Sequence, residues 1–193
     1  MLKSIWVHLT LNLEQTEQLQ SLQTLYTQAY LLTASIAAEL GTVGRVRLHH
    51  ESYLTIREKF PTLGAQMACN VIHAVSMLRA QTGSLDAMKA TYPNDKNGLA
   101  SNTPVLFDRN TLSIKGGVIS IFTLEGRMKL AIKKVKDVEY IFRTEKLKMA
   151  VLKKKANSYN LQLIFTSDAG ANITAPSPTY ENKILSIETS NEA

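Results

Sequence analysis

The sequence predicts an α+β protein in which a small β-barrel receives three helices after its first strand. Three observations carry that expectation. The apolar spacing is helical, in steps of three and four, over residues 13–81, and it shortens to two after residue 104. Between these regimes, residues 82–104 collect Gly83, Pro93, Asn94, Asp95, Asn97, Gly98, Asn102 and Pro104, a composition that interrupts both helix and strand. A strand pattern also stands ahead of the helices, at residues 1–11, so the strands are split around the helical stretch.

With 193 residues, 45% hydrophobic and 20% charged, the chain has apolar material for a real core and too little charge for wholesale disorder. No apolar run approaches the roughly 18 residues of a membrane span. The first apolar stretch carries Trp6, His8 and Asn12 and runs into Glu14 and Glu17, which is not the pattern of a secretory leader. The single Cys69 excludes a disulfide framework and a zinc ribbon within this sequence, and a reducing cytoplasm is the expected compartment.

Each element has its own grounds. In residues 1–11, Ile5, Val7, Leu9 and Leu11 alternate with Trp6, His8 and Thr10, the period of a half-buried strand. Thr10 or Asn12 can cap the next helix, whose first turn puts Glu14 and Glu17 at the positive end of the dipole. Leu19, Leu22, Leu25, Tyr26, Ala29, Leu32, Ile36 and Leu40 form its stripe, and Gly41 and Gly44 end it. A short helix over residues 51–59 is stopped by Pro61, with Tyr53, Ile56 and Phe60 on one face. The third helix covers residues 63–81, with Leu63, Met67, Val71, Val75 and Leu78 as its stripe. Residues 105–107, 111–115, 118–122 and 128–132 then read as short strands, punctuated by residues 108–110, by Gly116 and Gly117, and by Gly126. Residues 137–148 read as a basic helix, and 149–153 with 159–166 as a hairpin. The expected organisation is a first barrel strand at 1–12, a helical part at 13–82, a linker at 83–104, a barrel at 105–166 and a connector at 167–193.

The charge is unevenly placed. Residues 1–100 are nearly balanced, whereas 101–193 hold fourteen bases against nine acids. Within residues 127–155, Arg127, Lys129, Lys133, Lys134, Lys136, Arg143, Lys146, Lys148, Lys153, Lys154 and Lys155 stand against three acids, a net of +8. Such a density attracts a polyanion through charge neutralisation and counterion release; a charge run taken alone fits a solvated face equally well. The one-sided clustering, interleaved with strand-like apolar residues, favours nucleic acid. Arg45, Arg47, Arg57 and Lys59 form a second cluster suited to phosphate oxygens. Tyr53 beside them suits an unpaired base, although its spacing with Ile56 is also that of a core residue. Arg109 in the Asp108-Arg109-Asn110 turn and Arg127 after Gly126 sit at loop tips, where a small barrel touches a polynucleotide, and Lys115 joins the same set. A guanidinium fork at Arg127 would bring geometry as well as charge to a phosphate.

The search for catalysis is negative. Gly41 and Gly44 precede Arg45 without the spacing or the Lys-Ser/Thr of a phosphate-cradling loop, and there is no nucleophile elbow. His49 and His50 are adjacent, so their rings diverge, and no carboxylate lies at metal-ligand spacing. His73 shares a helix side with Gln66 and Asn70, either a solvent face or a polar stripe for a nucleic-acid backbone. No catalytic residue and no metal ligand is assigned.

The stretch HHESYLTIREKF, the helix AQMACNVIHAV and the segment PVLFDRNTLSIKGGVISIFTLEGRMKL, in that order, resemble the transposon-encoded TnpB family. Members of that family are RNA-guided DNA nucleases related to the type V CRISPR effectors. The resemblance runs from Ile5 to Phe165; its most specific pieces are residues 53–59 with the following helix, and the turn at residues 122–127. It implies that the barrel is an oligonucleotide-binding-type wedge domain and that the helices are an inserted recognition lobe. It further implies a guide or transposon-derived RNA and target DNA as partners, in a bacterial cytoplasm or nucleoid, with no membrane. Arg109, Arg127 and Lys129 match basic positions of the family's wedge segment, and Arg57 and Lys59 those of its recognition segment. Base pairing would then supply sequence specificity, while the protein reads geometry and backbone.

The departure from the family lies near Pro176 and Pro178. Residues 186–190, Ser-Ile-Glu-Thr-Ser, resemble the family's first nuclease strand, Gly-Ile-Asp-Leu-Gly, with serines for both glycines and Glu188 for the aspartate. A hydrophilic tail is the equal alternative. A two-metal nuclease needs several carboxylates around metals about 4 Å apart. The expectation is therefore a nucleic-acid binder without a complete nuclease and without a cofactor. Its alternative is one part of an active endonuclease, with Mg2+ and the remaining carboxylates brought by a separate nuclease subunit. A basic protein-interaction module is the third reading.

Overall fold

The computed structural model describes residues 2–42, 44–82, 103–132, 145–156, 158–167 and 187–190. In chain order these form β1 (Leu2–Leu9), α1 (Leu13–Glu39), α2 (Arg45–Lys59), a 3-10 turn (Pro61–Leu63), α3 (Ala65–Thr82), β2 (Val105–Phe107), β3 (Leu112–Lys115), β4 (Val118–Thr123), β5 (Gly126–Ile132), β6 (Glu145–Lys155), β7 (Ser158–Ser167) and β8 (Ile187–Ser190). The protein is thus mixed α+β. It divides into two compact units, Gln18–Leu106 and the pair of segments Met1–Glu17 and Phe107–Ala193. No helix among the described residues is long and apolar enough to cross a membrane.

Asn12 is the residue that caps α1. Its side-chain oxygen accepts the Gln15 backbone N–H at 2.8 Å, and the Gln15 side chain accepts the Asn12 N–H at 3.1 Å. This reciprocal box satisfies two donors that the first helical turn leaves without partners. At the other end Gly41 takes a φ of 60°, letting Thr42 N–H reach Ala37 O at 3.1 Å and Gly41 N–H reach Ala38 O at 3.3 Å. A side chain at Gly41 would meet the left-handed penalty that glycine avoids.

The helical unit differs from the expected stripe in one respect. Leu19, Leu22, Tyr26 and Ala29 are buried, but Leu25, Leu32, Ile36 and Leu40 are only half-buried. Gln23, Thr27 and Thr33 go inside instead. They do so because each polar group finds an acceptor: Gln23 Nε2 donates to Thr103 O at 3.1 Å, Thr27 Oγ1 to Gln23 O and Thr33 Oγ1 to Ala29 O, both at 2.8 Å. Tyr26 donates its hydroxyl to Asn70 O on α3 at 3.3 Å, and Asn70 is buried, so it belongs to the core and not to a solvent stripe. The second helix begins at Arg45, six residues ahead of its expected start, and buries Leu48, Ser52 and Ile56 along one line.

In the strand unit, β1, β7 and β6 form one antiparallel sheet and β3, β4 and β5 another. The short β8 runs parallel to β1 and antiparallel to β5, giving the order β2-β6-β7-β1-β8-β5-β4-β3. The order is open, with β2 and β3 at its two ends, so the expected closed barrel does not form. Closure requires every strand to have two neighbours in a continuous stagger. Here the three-residue β2 and four-residue β3, joined by a turn, fall at opposite ends. Residues 137–144 of the expected basic helix lie outside the described residues, and its last part, 145–148, is strand. There, Glu145 and Lys146 pair with Ser167 and Thr166 of β7. The two lysines flanking Leu147 suit the exposed side of either element; pairing with β7 decides between them. Most of the expected linker, residues 83–102, also lies outside the described residues.

Candidate nucleic-acid interface

Strand registers separate the basic side chains by face. On β7, Tyr159, Leu161, Leu163 and Phe165 are buried, and they pair with Leu9, Val7, Ile5 and Lys3 of β1. The alternate positions, Asn160, Gln162 and Ile164, pair with His8, Trp6 and Ser4 on the other face, where all but the buried Ser4 are half-buried. On β6, Lys153 pairs with Asn160, Lys155 with Ser158 and Lys146 with Thr166, which puts these three lysines on the outward face. All three are exposed. Lys148 is exposed at a bulge between Leu147 and Met149, the extra residue that shifts the register. Lys154 departs from its neighbours: it pairs with Tyr159 and lies on the buried-side parity, its Nζ 5.8 Å from the Tyr159 ring centroid. Burial pushes the Tyr159 phenol above its ordinary pKa of 10.0.

The second sheet repeats the division. Leu112, Ile121 and Met128 lie in one buried row, and Ser113, Ser120 and Lys129 lie in the neighbouring outward row. Lys115 is exposed at the end of β3, before the Gly116-Gly117 turn, where φ values of 58° and 77° give the twist that suits a tight hairpin. Arg109 is exposed at the tip of a turn held by Asp108, whose Oδ1 accepts the N–H groups of Asn110 and Thr111, each at 3.1 Å. Arg127 is exposed but engaged. Its Nε donates to Ser120 Oγ at 2.9 Å, its Nη1 to Asn110 O at 3.1 Å, and its Nη2 to Ser120 O at 3.1 Å and Ser113 Oγ at 3.4 Å. The guanidinium therefore clasps β4, β3 and the turn that precedes β3, and its fork is already in use within the protein.

The helical unit holds the smaller cluster. Arg45 and Arg47 are exposed in the first turn of α2, which has Gly44 at its cap, no side-chain cap and no acidic residue. Two cations at the positive end of a helix dipole make that end strongly electropositive. At the far end, Lys59 is exposed, and Arg57 donates Nη1 to Pro61 O at 3.2 Å, closing the turn that follows the helix. Tyr53 is half-buried with one ring face against His49, centroids 4.8 Å apart and planes 13° from parallel. The rings of His49 and His50 stand at 87° to one another, and Cys69 Sγ is 3.8 Å from His49 Nε2. That separation lies within the longer reach of a hydrogen bond that involves sulfur.

The strand registers therefore bring Lys146, Lys153 and Lys155 to one face, and Lys115, Arg127 and Lys129 to another, while Arg45, Arg47, Arg57 and Lys59 belong to the other unit. Lys133, Lys134, Lys136 and Arg143 lie outside the described residues. Among the described residues no three His, Cys, Asp or Glu side chains group closely enough to hold a metal ion. The residues that sequence reasoning passed over are Trp6, His8 and Asn160. Lys153 Nζ lies 5.0 Å above the Trp6 ring, and His8 Nδ1 is 3.0 Å from Asn160 Oδ1. Their signal was present in the alternation of residues 1–11, where Trp6 and His8 fall opposite the apolar side. No protein-family model matches the chain, and neither does any curated protein.

Proposed function

We propose that the protein binds RNA through the outward faces of its strand unit. The observation that carries this reading is the division of faces: Lys146, Lys153 and Lys155 on one sheet, and Lys115 and Lys129 on the other, all sit opposite the buried rows. Cations fixed on strands are spaced at about 7 Å along a face, since alternate residues rise by twice roughly 3.3 Å. A polyanion laid over such a face releases counterions at each contact without the protein having to order the backbone that carries the lysines first. Arg127, held by Ser120, Ser113 and Asn110, positions the sheet instead of gripping the ligand.

The TnpB-like order of pieces extends the proposal to RNA-guided DNA recognition. In this reading the strand unit corresponds to the wedge domain, holding a guide-RNA scaffold. The helical unit corresponds to the recognition lobe, offering Arg45, Arg47 and Lys59 to a nucleic-acid backbone. DNA cutting, where it occurs, falls to carboxylates and Mg2+ of a separate nuclease subunit.

The test is RNA affinity as a function of salt, together with sequencing of RNA that copurifies with the full chain. The expected plot of log affinity against log salt is linear, with a slope near −0.7 per phosphate neutralised on a single strand. A discrete transposon-end or repeat-derived RNA is the expected copurifying species. Affinity that stays flat as salt rises overturns the nucleic-acid reading and leaves the basic protein-interaction module.

A further inference from the structure

We propose that the outward face of β1, β7 and β6 is a stacking platform for an unpaired base of single-stranded RNA. Trp6 supplies the ring, the His8–Asn160 pair meets the base edge, and Lys153 meets the adjoining phosphate. This inference rests on the RNA-binding reading and narrows it to a place and a strand state.

The residue types on this face are unusual for a strand's outer side. Ile5, Val7 and Leu9 already bury the other side of β1, so the outward Trp6 is not needed to complete that buried row. It is half-buried, leaving part of its surface open, and Lys153 Nζ lies over its ring at 5.0 Å from the centroid. An ammonium over the open part of an indole face is held weakly, so a base can take its place on the ring. The displaced lysine then lies next to the incoming nucleotide, where its charge complements the phosphate. Lys146 and Lys155 stand on the same face and extend that complementarity along β6.

The neighbouring polar pair is fixed in a definite sense. With Asn160 Oδ1 as the acceptor, His8 Nδ1 donates across the 3.0 Å contact. The other ring nitrogen of His8 stays available to a ligand, and Asn160 keeps the donors of its NH2 group. Register places His8 and Asn160 side by side and Lys153 across from Asn160, one row from Trp6 and Gln162. A ring, an imidazole nitrogen, a pair of amide donors and a cation on one face match what a splayed-out base and its phosphate require. Bases within a duplex are stacked on each other and cannot lie on the ring.

Trp6 is the chain's sole tryptophan, so its emission reports on this face alone. The full chain is titrated with a fluorescein-labelled 12-nucleotide oligouridylate and with a 12-base-pair RNA duplex, following label anisotropy and Trp6 emission. The expected result is quenching of Trp6 by the single strand, saturating together with anisotropy, and little quenching by the duplex. Trp6→Ala is expected to weaken oligouridylate binding about tenfold or more without changing the salt slope, because stacking releases no counterion. Trp6→Phe should retain a good part of that affinity, and Lys153→Gln should lower the slope by about one contact. Should Trp6→Ala fail to fold, quenching in the unchanged protein and the Trp6→Phe variant still decide. Anisotropy that rises while Trp6 emission stays constant overturns the platform and leaves RNA binding intact. Equal quenching by the duplex also overturns it. Absence of binding to either probe at low salt overturns the RNA-binding reading, and the platform with it.

Discussion

Arg127 holds Ser120 at two points, through Nε to the hydroxyl at 2.9 Å and through Nη2 to the carbonyl at 3.1 Å. The remaining donors reach Asn110 O and Ser113 Oγ, so one exposed guanidinium links β5 to β4 and to the start of β3. Replacing it with alanine removes these charge-assisted bonds but leaves their partners open to water, which limits the penalty. Arg127→Ala is expected to cost about 1 kcal/mol in denaturant unfolding, with Arg127→Lys recovering only part because an ammonium cannot fork. Its effect on RNA affinity should not exceed that of Lys129→Ala once both variants are shown to be folded. A markedly larger loss at Arg127 would mean that the fork leaves the sheet for a phosphate.

The Asn12–Gln15 box makes a separate prediction at the entrance to α1. Asn12→Ala removes the acceptor of the 2.8 Å bond and leaves Gln15 N–H to water, for a loss of about 1 kcal/mol in unfolding free energy. Asn12→Ser, which keeps a capping oxygen, is expected to lose no more than a few tenths. Equal losses for the two variants would show that the cap oxygen is not what stabilises this helix start.

Much of this architecture is legible in local pattern. Ile5, Val7 and Leu9 announce β1, Asn12 and Gly41 announce the ends of α1, and Gly116-Gly117 announces the β3–β4 turn, because each depends on neighbours in sequence. What escaped depends on partners far along the chain. The early start of α2 was hidden because its buried line, Leu48, Ser52 and Ile56, carries a polar residue in the middle. Gln23 enters the core where the carbonyl of Thr103, eighty residues on, accepts from it. Lys146 is strand because β7 pairs with it. The end positions of β2 and β3, which leave the order open, arise from long-range pairing that no short motif encodes. Among the basic residues the clustering was legible but not the facing. Period two divides three consecutive strand lysines between two faces, but which face is outward, and that Lys153 lies over Trp6, depends on the pairing of β6 and β1 with β7.

That division of lysine faces can be tested directly. Lys153 and Lys155 lie on the outward parity of β6, whereas Lys154 lies on the other with Tyr159. Lys153→Glu and Lys155→Glu should each weaken RNA binding and reduce the salt slope by about one contact. Lys154→Glu should leave the slope closer to that of the unchanged protein and act mainly on stability, since it puts a carboxylate beside a buried phenol. Three equal losses of affinity with equal changes in slope would show a diffuse field in which facing does not matter.

Tyr159 gives the strand unit a dependence on alkaline pH. Its ring is 1% exposed, and burial raises the phenol's pKa above the ordinary 10.0, since the phenolate would be poorly solvated. The folded chain therefore keeps this proton at pH values where the unfolded chain has lost it. Stability associated with the group is fully present below the unfolded pKa and is lost as pH rises through the folded one, because the unfolded state there binds fewer protons. Unfolding free energy measured between about pH 8 and 11 should fall more steeply above pH 10 in the unchanged protein than in Tyr159→Phe. Lysine titration contributes to both proteins alike, so the difference between the two curves isolates the phenol. Parallel curves would show that Tyr159 ionises equally in both states, and that its hydroxyl reaches water despite the buried ring.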